Sequence, residues 1–228
     1  MAQPQPAPIT ICVGETQVSG LLQVPSPASA CFVFAHGAGA GMVHPFMGAV
    51  AVGLEERSIA TLRYQFPYME KGSKRPDPPQ VAHATVRAAV AEARRQLLGV
   101  PLIAGGKSFG GRMTSQVQAA VPLEGVAGLA FFGFPLHPAK RPSHERAKHL
   151  IDVRIPMLFL QGTRDALAEL RELEPVCAAL GSRAMLKLFA DADHSFHVPA
   201  RSERKDADIR AEMLDTFAEW TARVVTKA

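Results

Sequence analysis

Residues 102–111 read Leu-Ile-Ala-Gly-Gly-Lys-Ser-Phe-Gly-Gly and contain the pattern G-x-S-x-G centred on Ser108. An apolar run, Leu102–Gly105, precedes the pattern, and a helical pattern, Phe109–Ala120, follows it. A serine on such a sharp strand-to-helix turn has a strained backbone, and its neighbours two positions away must be small to avoid the adjacent backbone. The turn exposes the serine hydroxyl at the carboxyl edge of a sheet, near the N–H of Phe109. The stretch therefore predicts a nucleophilic serine.

Short apolar runs alternate with longer helical patterns along the rest of the chain. The predicted strands are Ile9–Val13, Val18–Val24, Cys31–Ala35, Ile59–Tyr64, Leu102–Gly105, Gly128–Phe132, Pro156–Leu160 and Ala184–Phe189. The predicted helices are Pro45–Arg57, Gln80–Leu98, Phe109–Ala120, Leu167–Leu180 and Ala207–Val225. This alternation is typical of the α/β class, because right-handed crossovers place helices on both faces of a parallel sheet. We expect a mostly parallel, twisted sheet that begins with an antiparallel hairpin.

The composition favours one compact domain. The chain has 228 residues, of which 47% are hydrophobic, enough for a single sizeable core. No repeat or linker is visible, so we expect one domain over residues 9–228 after a flexible N-terminus at residues 1–8. Two proline-punctuated connections, Pro67–Pro79 and Gly133–Leu150, are expected to line a site, since neither is long enough to fold independently.

Two further loops carry the partners that a nucleophilic serine needs. A serine requires a base, and the base requires an orienting carboxylate. In this kind of sheet the chain order is Ser, then Asp or Glu, then His, each after a strand. Asp165 follows the strand Pro156–Leu160 and His194 follows the last strand, Ala184–Phe189, so we predict that they form a catalytic triad with Ser108. Alternative acids and an alternative base stand in the same final loop: Asp191, Asp193 and His197.

The loop after the strand Cys31–Ala35 predicts an oxyanion hole. It reads His-Gly-Ala-Gly-Ala-Gly over residues 36–41, and such small residues let backbone N–H groups approach a substrate oxygen closely. We predict the N–H groups of Ala38 and Phe109 as the two donors. Four residues are expected to bind the substrate: His36, Gly37, Phe66 and Tyr68.

Two phosphate-binding motifs share these residues. Gly106-Lys107-Ser108 resembles the end of a P-loop, but Pro101 stands where that motif needs its first glycine. Gly37 and Gly39 resemble the start of a dinucleotide fingerprint, but Met42 replaces its third glycine and no acidic residue ends the next strand. No histidine pair has the spacing of a helical zinc site. We therefore predict neither a nucleotide cofactor nor a metal.

The charge distribution and the cysteines argue against a nucleic-acid-binding protein and against a protein built on C-x-x-C motifs. The net charge is +4 and the basic residues are scattered, whereas a nucleic-acid site needs a clustered stripe. Lys107 and Arg112 would either favour an anionic substrate or be solvated residues at a helix start, and we expect the second. The three cysteines form no C-x-x-C pair, which favours reduced thiols. The N-terminus has no secretory pattern and no apolar run reaches the ~20 residues of a membrane span, so we expect a cytoplasmic protein without a membrane partner.

Taken together, these residues resemble the α/β-hydrolase superfamily over nearly the whole chain. Three stretches, residues 36–39, 64–70 and 105–113, are similar to a dienelactone-hydrolase-like branch that also includes a testis-expressed hydrolase-like protein and a subunit of a histone-acetyltransferase complex. The resemblance implies an eight-strand-type sheet with little or no lid. True dienelactone hydrolases use a cysteine nucleophile, so the serine at position 108 does not imply their substrate.

The sequence thus predicts an esterase-type serine hydrolase that acts on a small ester-like molecule. Two alternatives remain. One is a catalytically weak or inactive binding module on the same fold, because a fold alone grants no activity. The other is a transferase or haloperoxidase-like activity that uses the same triad.

Overall fold

The computed structural model describes residues 5–226, which form an open sheet of eight strands in the order β1-β2-β4-β3-β5-β6-β7-β8. The first two strands and the β2–β4 pair are antiparallel, and every other pair is parallel. The strands are β1 (Ala7–Val13), β2 (Thr16–Gln23), β3 (Ala30–Ala35), β4 (Ile59–Tyr64), β5 (Leu102–Lys107), β6 (Val126–Phe132), β7 (Met157–Gly162) and β8 (Ala184–Phe189).

Six α-helices and two short 3₁₀ segments connect these strands within the described residues. The helices are α1 (Pro45–Glu55), α2 (Pro67–Glu70), α3 (Pro79–Gln96), α4 (Phe109–Ala120), α5 (Leu170–Leu180) and α6 (Asp206–Val225). The 3₁₀ segments are Glu145–Asp152 and Gly181–Arg183. None of the helices in residues 5–226 is long and apolar enough to cross a bilayer.

The buried core lies in two layers, one on each face of the sheet. Strand β3 shows why, because successive side chains of a strand point to opposite faces. Its residues Cys31, Val33 and Ala35 belong to the layer on the side of α3, α4 and α5, whereas Phe32 and Phe34 belong to the layer on the side of α1 and α6. All six residues of β3 are buried, as expected for a central parallel strand covered on both faces.

The predicted fold class is confirmed, and the bounds of the predicted strands and helices differ by at most three residues, whereas α2 and the two 3₁₀ segments were not predicted. The largest difference is at the start of α5, which begins at Leu170 instead of Leu167. Residues 1–4 of the predicted flexible N-terminus lie outside the described part of the chain. Ala7 and Pro8, which we assigned to that terminus, instead pair with Leu22 and Leu21 in the first hairpin.

Candidate active site

Ser108 stands at the turn between β5 and α4 with φ 49° and ψ −115°, a strained conformation for a non-glycine residue. The turn is possible because its neighbours lack side chains. A Cβ on Gly106 would lie 2.9 Å from the Cβ of Ala35, and one on Gly110 would lie 2.6 Å from the same atom. The predicted steric need for two small residues is therefore explained by the close approach of the end of β3 and the start of the loop that follows it, including backbone atoms of Ala35 and His36.

The structure brings the three predicted triad residues together. Nε2 of His194 lies 2.9 Å from Oγ of Ser108, and Nδ1 lies 2.6 Å from Oδ2 of Asp165. Asp165 is buried, and its Oδ1 accepts a 2.7 Å hydrogen bond from the N–H of Leu167. With the proton on Nδ1, the imidazole donates to the carboxylate and its free Nε2 faces the serine hydroxyl, as a general base requires.

A residue that the sequence analysis did not single out also holds the carboxylate. The amide of Gln161, fully buried at the end of β7, donates to Oδ2 of Asp165 and accepts a 3.0 Å bond from the N–H of Phe134. A glutamine that closes an otherwise apolar strand is a visible signal, since a buried amide needs partners. Gln161 thus connects the acid to the end of the neighbouring strand.

The alternative acids and base have other partners. Asp193 accepts backbone bonds from Ser195 and His197 through its Oδ1, which shapes the turn that carries His194. The ring of His197 is exposed and lies 2.8 Å from Asp206, at the start of α6. Asp191 receives a bond from the hydroxyl of Ser202. We call residues 190–197 the histidine loop.

Residues 36–41, which we call the oxyanion loop, lie beside the serine. A Cβ built on Gly37 would contact the Cβ of Ser108 at 3.9 Å, and Ala38 is exposed at the cleft. The loop turns through a 3.2 Å bond from the N–H of Ala40 to the carbonyl of Gly37. Ala38 and Ser108 therefore line the same cleft.

Three of the four residues predicted to bind substrate have side chains buried beneath the oxyanion loop instead of lining the cleft. His36 and Phe66 are fully buried and Tyr68 is nearly so. Nε2 of His36 accepts a 3.1 Å bond from the N–H of Phe66, so Nδ1 carries the proton and donates to the carbonyl of Gly37 at 2.7 Å. The hydroxyl of Tyr68 accepts a 3.1 Å bond from the N–H of Gly39. These side chains brace the loop, and only Gly37 of the four lines the cleft.

Burial gives the His36 ring a strong preference for the neutral state. Desolvation lowers the pKa of His36 to about 4, and the hydrogen bond to the Gly37 carbonyl opposes this only in part. A neutral ring can accept from Phe66 and donate to Gly37 at once, whereas a protonated ring loses its acceptor. The two hydrogen bonds of His36 beneath the oxyanion loop therefore require a neutral imidazole.

A cleft of about 390 Å³ opens above Ser108 and His194. Its wall is mostly apolar and comes from the oxyanion loop, the start of α1, the elbow, the loop after β7 and the histidine loop: Gly37, Ala38, Ala40, His44, Phe46, Met47, Lys107, Ser108, Leu167, His194 and Ser195. The connections Pro67–Pro79 and Gly133–Leu150 contribute none of these residues, so our expectation that they line the site was wrong. Their place is taken by α1, which β3 and the oxyanion loop direct over the serine.

Lys107 also differs from expectation, because its amine turns inward instead of into solvent. Nζ donates a 2.5 Å hydrogen bond to the carbonyl of His194. Desolvation lowers the pKa of Lys107 to about 8, although the carboxylates of Asp165 and Asp193 act in the opposite direction. The side chain therefore joins the elbow to the histidine loop.

An open, mostly parallel sheet with a serine-bearing elbow at the end of β5 defines the α/β-hydrolase fold. The chain belongs to the α/β-hydrolase family, because residues 28–222 match the family described as "Alpha/beta hydrolase domain". This family assignment confirms the superfamily predicted from the elbow and its flanking loops.

Solved structures with the same fold cover nearly the whole chain. A dienelactone hydrolase from Anabaena variabilis is 22% identical, with 98% of this chain and 99% of that chain covered and a TM-score of 0.79. A serine hydrolase without lid from Xanthomonas campestris is 20% identical, with 95% of each chain covered and a TM-score of 0.74. An esterase domain from Rhodothermus marinus is 17% identical over 97% of this chain and all of that one, with a TM-score of 0.74. The resemblance to the dienelactone-hydrolase-like branch thus holds at the level of the fold.

Proposed function

We propose that this protein is a serine esterase that hydrolyses small carboxylic esters through Ser108, His194 and Asp165. The observation that carries the proposal is the hydrogen-bond chain from Ser108 Oγ to His194 Nε2, 2.9 Å, and from His194 Nδ1 to Asp165 Oδ2, 2.6 Å. This is the arrangement of nucleophile, base and orienting acid that acyl transfer needs.

In the proposed mechanism, His194 takes the proton of Ser108 as Oγ attacks the ester carbonyl. The N–H groups of Ala38 and Phe109 stabilise the oxyanion of the tetrahedral intermediate. Collapse breaks the ester bond, and His194 returns the proton to the leaving alcohol, which yields an acyl-serine. A water molecule, deprotonated by His194, then attacks the acyl-serine and releases the acid. Asp165 holds the tautomer and stabilises the imidazolium in both steps.

The cleft supports a small, largely apolar substrate. Its volume of about 390 Å³ lies within the range of small-molecule sites. Phe46, Met47 and Leu167 supply an apolar wall against which one half of the ester, either the acyl group or the alcohol, would pack. We propose that the substrate is a small-molecule ester, that no nucleic acid, membrane or metal takes part, and that the protein works in the cytoplasm.

A fluorophosphonate probe tests the nucleophile directly, because it reacts with activated serines. We expect the wild type to be labelled at Ser108, with labelling abolished in Ser108→Ala and slowed at least about 10³-fold in His194→Ala. Turnover of short-chain aryl esters should follow the same order. Equal labelling of Ser108→Ala would reject the assignment, and an unreactive wild type would favour a binding module.

Ser115 offers a matched control within the same helix. Its hydroxyl also lies 2.8 Å from a histidine nitrogen, Nε2 of His149, but the residue is fully buried. Ser115→Ala should therefore keep full probe labelling at Ser108. This control separates the loss of one nucleophile from the general effect of removing a serine that contacts a histidine.

A further inference from the structure

The histidine loop is attached to the elbow through the amine of Lys107. This residue immediately precedes Ser108, and its Nζ donates a 2.5 Å bond to the backbone carbonyl of His194. The bond joins the residue next to the nucleophile with the residue that carries the base. It acts across a gap of 87 positions in the chain, so it fixes the relative position of two separate loops.

The surroundings of the amine are suited to a buried cation. The Phe46 ring lies on one side with its centroid 5.9 Å from Nζ, and the Phe196 ring lies 5.4 Å away. The carboxylates of Asp165 and Asp193 face the amine from the loops after β7 and β8. The titratable neighbours in the cleft are His194 and His44. The ammonium bonds a carbonyl, stacks on rings and has two carboxylates within electrostatic reach.

We propose that Lys107 is a positioning residue, whose ammonium holds His194 against Ser108, and that turnover falls when this amine loses its proton at alkaline pH. The inference rests on the proposed esterase function. A charged donor makes a hydrogen bond about twice as strong as a neutral one, so deprotonation weakens the attachment of the loop. Since the pKa of Lys107 is about 8, the loss is expected as pH rises through 8.

The structure allows the positioning effect to be separated from the effect of charge. A Cβ built on Gly133 would lie 3.0 Å from Nζ of Lys107 and 3.3 Å from Nδ1 of His194, so ammonium and imidazole face the same narrow gap. A nearby cation opposes formation of the imidazolium. Removing the charge alone would therefore favour catalysis, whereas removing the hydrogen bond disfavours it. A fall in turnover reports on position.

The experiment compares Lys107→Met, Lys107→Arg and the wild type in kcat, KM and thermal unfolding from pH 6 to 10. We expect kcat of Lys107→Met to fall about tenfold, since small misplacements of a base are costly. Its KM should change little. Thermal unfolding of Lys107→Met separates a loss of overall stability from the loss of turnover. The wild type should lose activity with a midpoint near pH 8, and Lys107→Arg should retain activity to higher pH.

Lys187 provides the matched control. Its amine also lies over an aromatic ring, 5.9 Å from the centroid of Phe189, and it pairs with Glu212 outside the cleft. Lys187→Met should keep the wild-type kcat and the wild-type alkaline limb. A Lys107→Met protein with wild-type kcat and an unchanged alkaline limb would overturn the proposal.

A measurement on the wild type keeps the test independent of how the variants fold. Amide hydrogen exchange over residues 191–197, corrected for the intrinsic pH dependence, should accelerate as pH rises through 8. Constant protection of this segment up to pH 9.5 would contradict the proposal. The two proposals can fail separately. An unlabelled Ser108 in the wild type would contradict the esterase function. A labelled Ser108 with constant loop protection would contradict the role of Lys107 alone.

Discussion

The two loops that face Ser108 are held in opposite ways. The oxyanion loop rests on neutral groups: the buried ring of His36, the hydroxyl of Tyr68 and the amide of Gln65, whose Oε1 accepts a 2.8 Å bond from the N–H of Met42. The histidine loop is held by charged groups, the carboxylate of Asp165 and the ammonium of Lys107.

Because of this difference, acid weakens one side of the site and alkali weakens the other. Protonation of His36 removes an acceptor under the oxyanion loop, whereas deprotonation of Lys107 weakens the histidine loop. Since burial lowers the pKa of His36 to about 4 and that of Lys107 to about 8, both supports are intact between these values. The three tests below act on one loop at a time.

The largest effect is expected from Asp165→Asn on the side of the histidine loop. An asparagine amide donates where the carboxylate accepts from Nδ1 of His194, which favours the wrong tautomer. We expect kcat to fall by roughly 10⁴, with the fold retained. Aryl-ester turnover checks this. Asp193→Asn is the control, because its amide oxygen still accepts the bonds from Ser195 and His197, and an equal loss in both variants would contradict the role of Asp165.

The second test concerns the oxyanion loop at low pH. The pKa of His36 is lowered from 6.5 to about 4, so between these values the unfolded chain binds more protons than the folded one. The stability from a neutral His36 is present above pH 6.5 and is lost as pH falls toward 4. It amounts to on the order of 3 kcal/mol. Denaturant unfolding across this window should show that the free energy of unfolding depends less steeply on pH in His36→Gln than in the wild type.

His149 is the matched residue for this pH test. Burial lowers its pKa to about 4 as well, and this half-buried residue lies against Ser115 of α4 instead of beneath the oxyanion loop. His149→Gln should also reduce the pH slope of stability but leave ester turnover at pH 7 unchanged. His36→Gln should reduce both. An unchanged slope in His36→Gln would mean that this ring does not govern acid stability.

The smallest effect is expected from Tyr68→Phe. The variant keeps the ring and removes the acceptor for the N–H of Gly39, a bond of about 1 kcal/mol. We expect kcat/KM to fall about fivefold with little change in melting temperature, because the lost bond holds the oxyanion loop. Tyr64→Phe makes the same change on a tyrosine of the core and should have no such effect. Equal kcat/KM values for Tyr68→Phe and Tyr64→Phe would contradict a role of the Tyr68 hydroxyl in holding the oxyanion loop.

The sequence predicted the sheet and the chain order of Ser108, Asp165 and His194 well, because both depend on local patterns. A strand buried on both faces is a continuous apolar run, and a loop that follows a parallel strand must reach the carboxyl edge of the sheet. The positions of these residues in the chain therefore determine which edge they share. The structure contains the contacts of His194 with Ser108 and with Asp165 that this order predicts.

The supports of the two loops could not be predicted in the same way. His36, Phe66 and Tyr68 carry the right chemistry for a binding site, and only the packing of α2 shows that they lie beneath the oxyanion loop. Lys107 stands at a helix start, where a lysine is typically solvated. Its partner is a backbone carbonyl, which every residue has, so residue type gives no signal. Gln161 was the exception, a polar residue in an apolar strand.

The contact of Ala35 with Gly106 and Gly110 sets the dimension of the whole site. The backbone and the Cβ of Ala35, where β3 continues into the oxyanion loop, lie directly against the turn that carries Ser108. The tolerance for growth at position 35 is therefore as small as at the two glycines, and a residue that touches no substrate limits which side chains evolution can place at the end of this strand.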